Sequence, residues 1–131
     1  MMAEDYVSFE TAKLLKEKGF DAECDYLYAD RELIRARGGA CNWNNGETLF
    51  ADYYKNECSA PTLQMAMKWL RKVHGIFIRP NINFLYPIRY YCEIFCYGDN
   101  LKTQQDVTTE NFESPEEACE EAIKYCLEKL I

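Results

Sequence analysis

The chain has 131 residues, 48% of them hydrophobic and 15% aromatic, a size and composition typical of one folded domain and contrary to intrinsic disorder. No uncharged apolar run approaches the ~18 residues of a membrane-spanning helix, and the amino terminus is acidic where a secretion signal would be basic. We therefore expect a cytoplasmic protein without a membrane partner. The net charge of -7 disfavours generic nucleic-acid binding, because phosphate contacts need an extended basic surface.

The first predicted helix covers residues 8–20. Ser8 can cap its amino terminus, Gly19 can end it in a left-handed conformation, and Phe20 can then fold back onto it. The next segment, "CDYLYADRELIRAR", alternates apolar and polar residues on both sides of "ADRE". This pattern predicts a β-hairpin.

Residues 38–57 are irregular and rich in turn-forming glycine and asparagine. This insert carries four aromatic residues, Trp43, Phe50, Tyr53 and Tyr54. It is either a loop folded over the core or a binding loop, and we favour the first because aromatic side chains are usually buried.

The second predicted helix covers residues 59–75, with Ser59 as its cap and Pro61 in its first turn. Its expected inner stripe is Leu63, Ala66, Met67, Leu70 and Val73. Strands follow in "GIFIRP", in "FLYPIRYYCEIFCYGDN" and in the polar "LKTQQDVTT", which suits an edge. In the long strand we assign Tyr90, Cys92, Ile94 and Cys96 to the core.

The third helix covers residues 114–131, where Ser114 and Glu117 form a capping box around Pro115. Its inner stripe is Ala118, Ala122, Ile123, Cys126, Leu127 and Leu130. The sequence thus predicts a single α+β domain over residues 1–131, in the order α-β-β-loop-α-β-β-β-α. We expect a mainly antiparallel sheet with three helices packed on one face.

The seven cysteines are odd in number and include no CxxC pair, and His74 is the single histidine. A disulfide framework and a zinc site both fit this pattern poorly. Buried, reduced thiols are the favoured interpretation. We expect no cofactor and no metal.

Positive charge is concentrated between Cys58 and Cys92, a window with five bases and no acid. Lys68, Arg71 and Lys72 share one face of the second helix. They could be a solvated face, or they could form an anion site with Arg79 and Arg89. The predicted ligand-binding set is Lys68, Trp69, Arg71, Lys72, Arg79, Arg89 and Tyr91.

Two further features are weaker. Ser59 and Thr62 could hold a phosphate at a helix amino terminus, although capping fits them better. His74 closes the second helix, and catalysis by it would need a partner, for which Cys58 and Cys92 are the candidates.

Three segments, "YVSFETAKLLKEKGFD", "CSAPTLQMAMKWLRKVHGI" and "EEACEEAIKYCLEKLI", resemble a family of small proteins encoded by phages, prophages and other mobile elements of gut Bacteroidales. The resemblance is weak through residues 29–57 and carries no catalytic residues to this chain. It implies an accessory protein acting inside a bacterial cell. Such proteins often counter host defences, by capturing a signalling nucleotide or by binding a host protein.

Three hypotheses follow, from different classes. The first is a non-catalytic protein that sequesters an anionic, nucleotide-like small molecule, and a homodimer joining two basic helices would deepen its cleft. The second is an interaction module that inhibits a host protein through the acidic third helix or the aromatic loop. The third is a small hydrolase.

Overall fold

The computed structural model describes residues 5–36, 38–45, 57–96 and 106–131. Its elements are α1 (Phe9–Glu17), β1 (Tyr26–Ala29), β2 (Glu32–Arg35), β3 (Cys58–Ser59), α2 (Leu63–His74), β4 (Ile76–Asn83), β5 (Arg89–Cys96), β6 (Asp106–Thr108) and α3 (Pro115–Tyr125). The α+β class and the predicted order of elements are confirmed. Among these residues, no helix is long and apolar enough to span a membrane.

The strands form two antiparallel sheets of three strands each, where the sequence predicted one sheet. The chain divides accordingly into two compact units, unit 1 over residues 1–62 and unit 2 over residues 63–131. Helix α1 belongs to the first unit and α2 and α3 to the second, so the three helices do not share one sheet. The single domain over residues 1–131 stays a prediction.

Unit 1 contains α1 and a sheet in the order β2-β1-β3. The hydroxyl of Ser8 accepts a hydrogen bond from the Thr11 amide, and Gly19 ends the helix region at φ +90°. The Phe20 amide then donates to the Leu15 carbonyl, and its ring is buried. The predicted start, stop and fold-back of α1 are confirmed, as is the β1–β2 hairpin.

The predicted cap of α2 is wrong. Ser59 lies in β3, opposite Leu27 of β1, and α2 begins only at Leu63. The Ser59 hydroxyl instead accepts a hydrogen bond from the Trp43 amide at 3.0 Å. The Trp43 ring is buried and donates from Nε1 to the Cys24 carbonyl at 2.8 Å, which fits a loop folded over the core. The other three aromatic residues of the 38–57 insert lie outside the described residues.

Unit 2 contains a sheet in the order β4-β5-β6 with α2 and α3 packed against it. Directly opposite pairs in β4 and β5 include Ile78 with Ile94 and Pro80 with Cys92. The inner face of this sheet carries the buried side chains Ile76, Ile78, Cys92 and Ile94. Because the sulfur of Cys92 lies 3.9 Å from that of Cys119, α3 packs on this face.

The buried face of α2 is rotated relative to the predicted stripe. Its buried residues are Leu63, Ala66, Trp69 and Leu70. Trp69 is 7% exposed, whereas Val73, which the sequence placed in the core, is 59% exposed. The large indole of Trp69 packs inward, so the buried stripe of α2 includes Trp69 and leaves out Val73.

Helix α3 agrees most closely with its prediction. The Ser114 hydroxyl accepts from the Glu117 amide at 3.1 Å. Beyond Tyr125 the chain continues as a π-helical turn through Leu130. Its fully buried residues are Ala118, Ala122, Ile123, Cys126 and Leu127.

Candidate interaction surface

The residues predicted to bind an anion lie on two sides of the unit 2 sheet. Side chains of β4 and β5 alternate, so the outer face carries the positions that do not face α3. These are Phe77, Arg79, Asn81 and Asn83 of β4 and Arg89, Tyr91, Glu93 and Phe95 of β5. Lys68, Arg71 and Lys72 are exposed on α2, which packs against the other face.

Arg79 is already engaged on the outer face. Its Nη2 donates to both carboxylate oxygens of Glu93, at 2.8 and 2.9 Å, and its guanidinium lies 5.5 Å from the ring centroid of Phe95. The hydrogen bonds from Arg79 and Asn81 lower the pKa of Glu93 below its ordinary value. A ligand anion would compete with this carboxylate, which makes Arg79 a poor anion ligand.

Arg89 and Tyr91 lie toward the hairpin end of the outer face. Arg89 donates from Nη1 to the Ile88 carbonyl at 3.0 Å. Tyr91 lines a wide, shallow depression of about 590 Å³ together with Asn83, Phe84 and Thr108. Of the predicted set, the structure thus brings Arg79, Arg89 and Tyr91 to one face.

Trp69 and His74 pack together at the carboxyl-terminal end of α2. Their rings meet edge to face with centroids 4.8 Å apart. Because Trp69 is buried, its ring offers no stacking surface to a ligand. His74 has a packing role that accounts for its position.

One exposed apolar cluster among the described residues of unit 2 was not predicted as a site. The sequence placed "FLYPI" at the start of a strand, but β4 ends at Asn83 and β5 begins at Arg89. Residues 84–88, here called the hairpin tip, therefore connect the two strands. Phe84 and Leu85 are each 77% exposed, Tyr86 is 97% exposed and Ile88 is 48% exposed.

The hairpin tip is held by the strands beneath it. Strands β4 and β5 pair along their whole length, from Ile76 with Cys96 to Asn83 with Arg89. The Asn83 side-chain carbonyl accepts a hydrogen bond from the Leu85 amide at 3.1 Å, which fixes the first residues of the tip. The exposed side chains thus project from a defined support.

Four buried thiols, those of Cys24, Cys58, Cys92 and Cys126, lack the properties of a nucleophile. Burial raises the pKa of Cys24 to about 12, that of Cys58 to about 11 and that of Cys126 to about 12. The contact with Cys119, together with burial, also raises the pKa of Cys92. Such thiols stay protonated near neutral pH and act as small apolar side chains. In the described part of the chain, no group of three or more His, Cys, Asp or Glu is placed to hold a metal ion.

Comparisons with protein-family models, with curated proteins and with solved structures find no match for this chain. The resemblance to proteins of Bacteroidales phages and mobile elements therefore stays a prediction.

Proposed function

We propose that the protein is a non-catalytic interaction module that holds a partner protein by the hairpin tip of unit 2. The observation that carries the proposal is the exposure of Phe84, Leu85, Tyr86 and Ile88 in one turn. Soluble proteins rarely expose several adjacent large apolar side chains, and contiguous exposed patches commonly mark interaction sites.

The energetics of burial favour this part of the hairpin as the centre of an interface. Moving one such side chain from water into an apolar groove contributes about 1.5–3 kcal/mol. Aromatic side chains are enriched among the residues that dominate binding energy, and Phe84 and Tyr86 are the two aromatic residues of the tip. Because the paired strands support the turn, little backbone conformational entropy would be lost on binding.

The charges around the tip indicate the chemistry of the partner. Between Pro80 and Tyr91 the chain has one base, Arg89, and no acid. The matching surface is an apolar groove bordered by a carboxylate that meets Arg89. An anionic membrane surface fits less well, because segments that bind such surfaces carry clusters of about four to eight bases, whereas the tip region has one.

This proposal takes up the interaction hypothesis but moves the contact surface from the acidic helix and the aromatic loop to the hairpin tip. The anion site built on Lys68, Arg71 and Lys72 has less support, since Arg79 and Tyr91 lie across the sheet from them. A host protein is the partner that the family resemblance implies.

The test uses the full chain as bait in a bacterial lysate. A protein that it retains is purified and titrated against three forms: wild type, the tip variant Phe84→Ser/Tyr86→Ser, and the control variant Lys68→Glu/Arg71→Glu. We expect the tip variant to weaken the purified partner's binding at least tenfold and the control variant to change it less than twofold. All three forms should have the same urea midpoint of unfolding, which shows that the substitutions leave stability unchanged.

Equal weakening by the control variant would refute the proposal, as would full binding by the tip variant or failure of every purified candidate to bind directly. Two further assays cover other uses of the tip. Co-sedimentation with phosphatidylglycerol vesicles, if lost in the tip variant, would replace the partner protein by a lipid surface. Concentration-dependent dimerisation lost in the tip variant would replace it by a second copy of the chain.

A further inference from the structure

Unit 1 contains a cavity of about 520 Å³, within the range of small-molecule sites. Its described lining consists of Phe9, Lys13, Lys16, Glu17, Asp30, Arg31, Glu57 and Cys58. The cavity belongs to neither the hairpin tip nor the predicted anion site. Three bases, three acids and an aromatic ring line it, and most of these side chains are exposed to solvent.

Arg31 reaches this cavity through a backbone conformation that arginine rarely adopts. The two central residues of the β1–β2 turn, Asp30 and Arg31, have φ of 51° and 72°. Turns of this kind favour asparagine and glycine, since a Cβ atom is strained in the left-handed region. A glycine at position 31 would suit the turn better, so the arginine is not explained by the turn.

The Arg31 side chain lies against α1. Its guanidinium carbon is 5.3 Å from the ring centroid of Phe9, whose edge also meets Tyr28 with centroids 5.6 Å apart. The contact places a planar cation in the cavity wall. Such a plane can stack on a flat ligand ring and can donate two parallel hydrogen bonds to a phosphate.

Lys13 and Lys16 are one turn apart on α1 and both line the cavity. The Lys16 ammonium donates to the Glu57 carbonyl at 2.8 Å, which joins α1 to the residue before β3. Together with Arg31 these lysines are balanced by the carboxylates of Glu17, Asp30 and Glu57. A bare inorganic anion would therefore gain little net attraction.

We propose that this cavity binds a mononucleotide, a ligand that combines an anion, a flat ring and hydrogen-bond donors. Its phosphate is held by Lys13 and Arg31, and its base stacks on the guanidinium of Arg31. The carboxylates accept hydrogen bonds from ribose hydroxyls or from amino groups of the base. Binding is non-covalent, and the ligand is released unchanged.

Isothermal titration of the full chain with adenosine 5′-monophosphate, adenosine and inorganic phosphate tests whether the phosphate and the nucleoside both contribute to binding. We expect the monophosphate to bind at least tenfold more tightly than either fragment. Arg31→Gly should weaken its binding at least tenfold, and this variant is expected to fold because glycine suits the turn. Lys13→Gln should weaken binding by a smaller factor. Arg35→Gln, which removes an exposed base of β2 outside the cavity, should change it less than twofold.

The proposal is overturned if the Kd of the monophosphate is above about 1 mM, which corresponds to a binding free energy weaker than about 4 kcal/mol. It is also overturned if phosphate alone binds as tightly as the monophosphate, or if Arg35→Gln and Arg31→Gly weaken binding equally. The tip variant of unit 2 should bind the monophosphate like wild type. Either proposal can thus fail without the other.

Discussion

Replacing Ile94 by alanine tests whether the unit 2 core lies between the sheet and α3. Ile94 is 0% exposed and lies in the central strand β5, opposite Ile78 on one side and Val107 on the other. The substitution removes three carbon atoms, a transfer loss of about 2.4 kcal/mol at ~0.8 kcal/mol per carbon. A cavity then remains in the packed core, and we expect a total loss of about 3–4 kcal/mol in the free energy of unfolding.

The matched control is Ile88→Ala, the same chemical change six residues earlier in the hairpin tip. Because Ile88 is 48% exposed, this substitution should cost about 0.5–1 kcal/mol at most. Urea unfolding followed by circular dichroism gives both values, and an unchanged dependence on urea shows that the unfolding reaction is the same. The reasoning is refuted if Ile94→Ala costs less than about 1 kcal/mol, or if the two substitutions cost the same. The two isoleucines should also separate stability from function, since only Ile88→Ala should weaken partner binding.

Two smaller predictions concern a thiol and a helix end. Burial raises the pKa of Cys126 from 9.0 to about 12, so the folded form keeps a proton that the unfolded chain loses. The free energy of unfolding should therefore fall as pH rises from 9.0 toward about 12. The fall of the urea midpoint over this range should be shallower in Cys126→Ala, and an equal slope would contradict the prediction. Gly19 has φ +90° with open space around it, so Gly19→Ala should lower the unfolding free energy by about 1 kcal/mol through backbone strain alone. Gly38→Ala, at a position without positive φ, should have little effect in the same thermal melts, and equal losses would refute the strain argument.

Local chemistry in the sequence was enough to predict α1, α3 and the β1–β2 hairpin. Ser8 and Ser114 cap helices whose apolar residues recur at helical spacing, and the signal for each lies within one element. Ser59 precedes a similar pattern, yet its backbone pairs with Leu27 of β1. That pairing joins residues far apart in sequence, so capping chemistry could not reveal it. The division of the strands into two sheets depends on the same kind of distant pairing.

The surface was harder to predict than the core, for a physical reason. The window from Cys58 to Cys92 contains no acid, but it covers β3, α2, β4 and the first half of β5. Alternation along β4 sends Arg79 to the face opposite α2, so charges that are close in sequence do not meet. Residues 84–88 form a short apolar run. Because such runs are usually buried in a strand, the sequence predicted a strand here. Only the positions of Asn83 and Arg89, where the strands end, show that the run is a turn.

The pairing of Pro80 has a consequence for self-association through the edge of the sheet. The Cys92 amide donates to the Thr109 hydroxyl and its carbonyl accepts from the Thr109 amide, so both backbone groups of Cys92 point toward β6. Pro80 lies directly opposite Cys92. Its nitrogen therefore points away from β5, toward the edge of β4 that pairs with no strand of the described sheet. Strand β4 is an edge of the described sheet, and a proline in its middle removes a donor that a second chain would need for pairing. The molecule can thus present an apolar turn on a long hairpin while the adjoining edge resists amyloid-like extension.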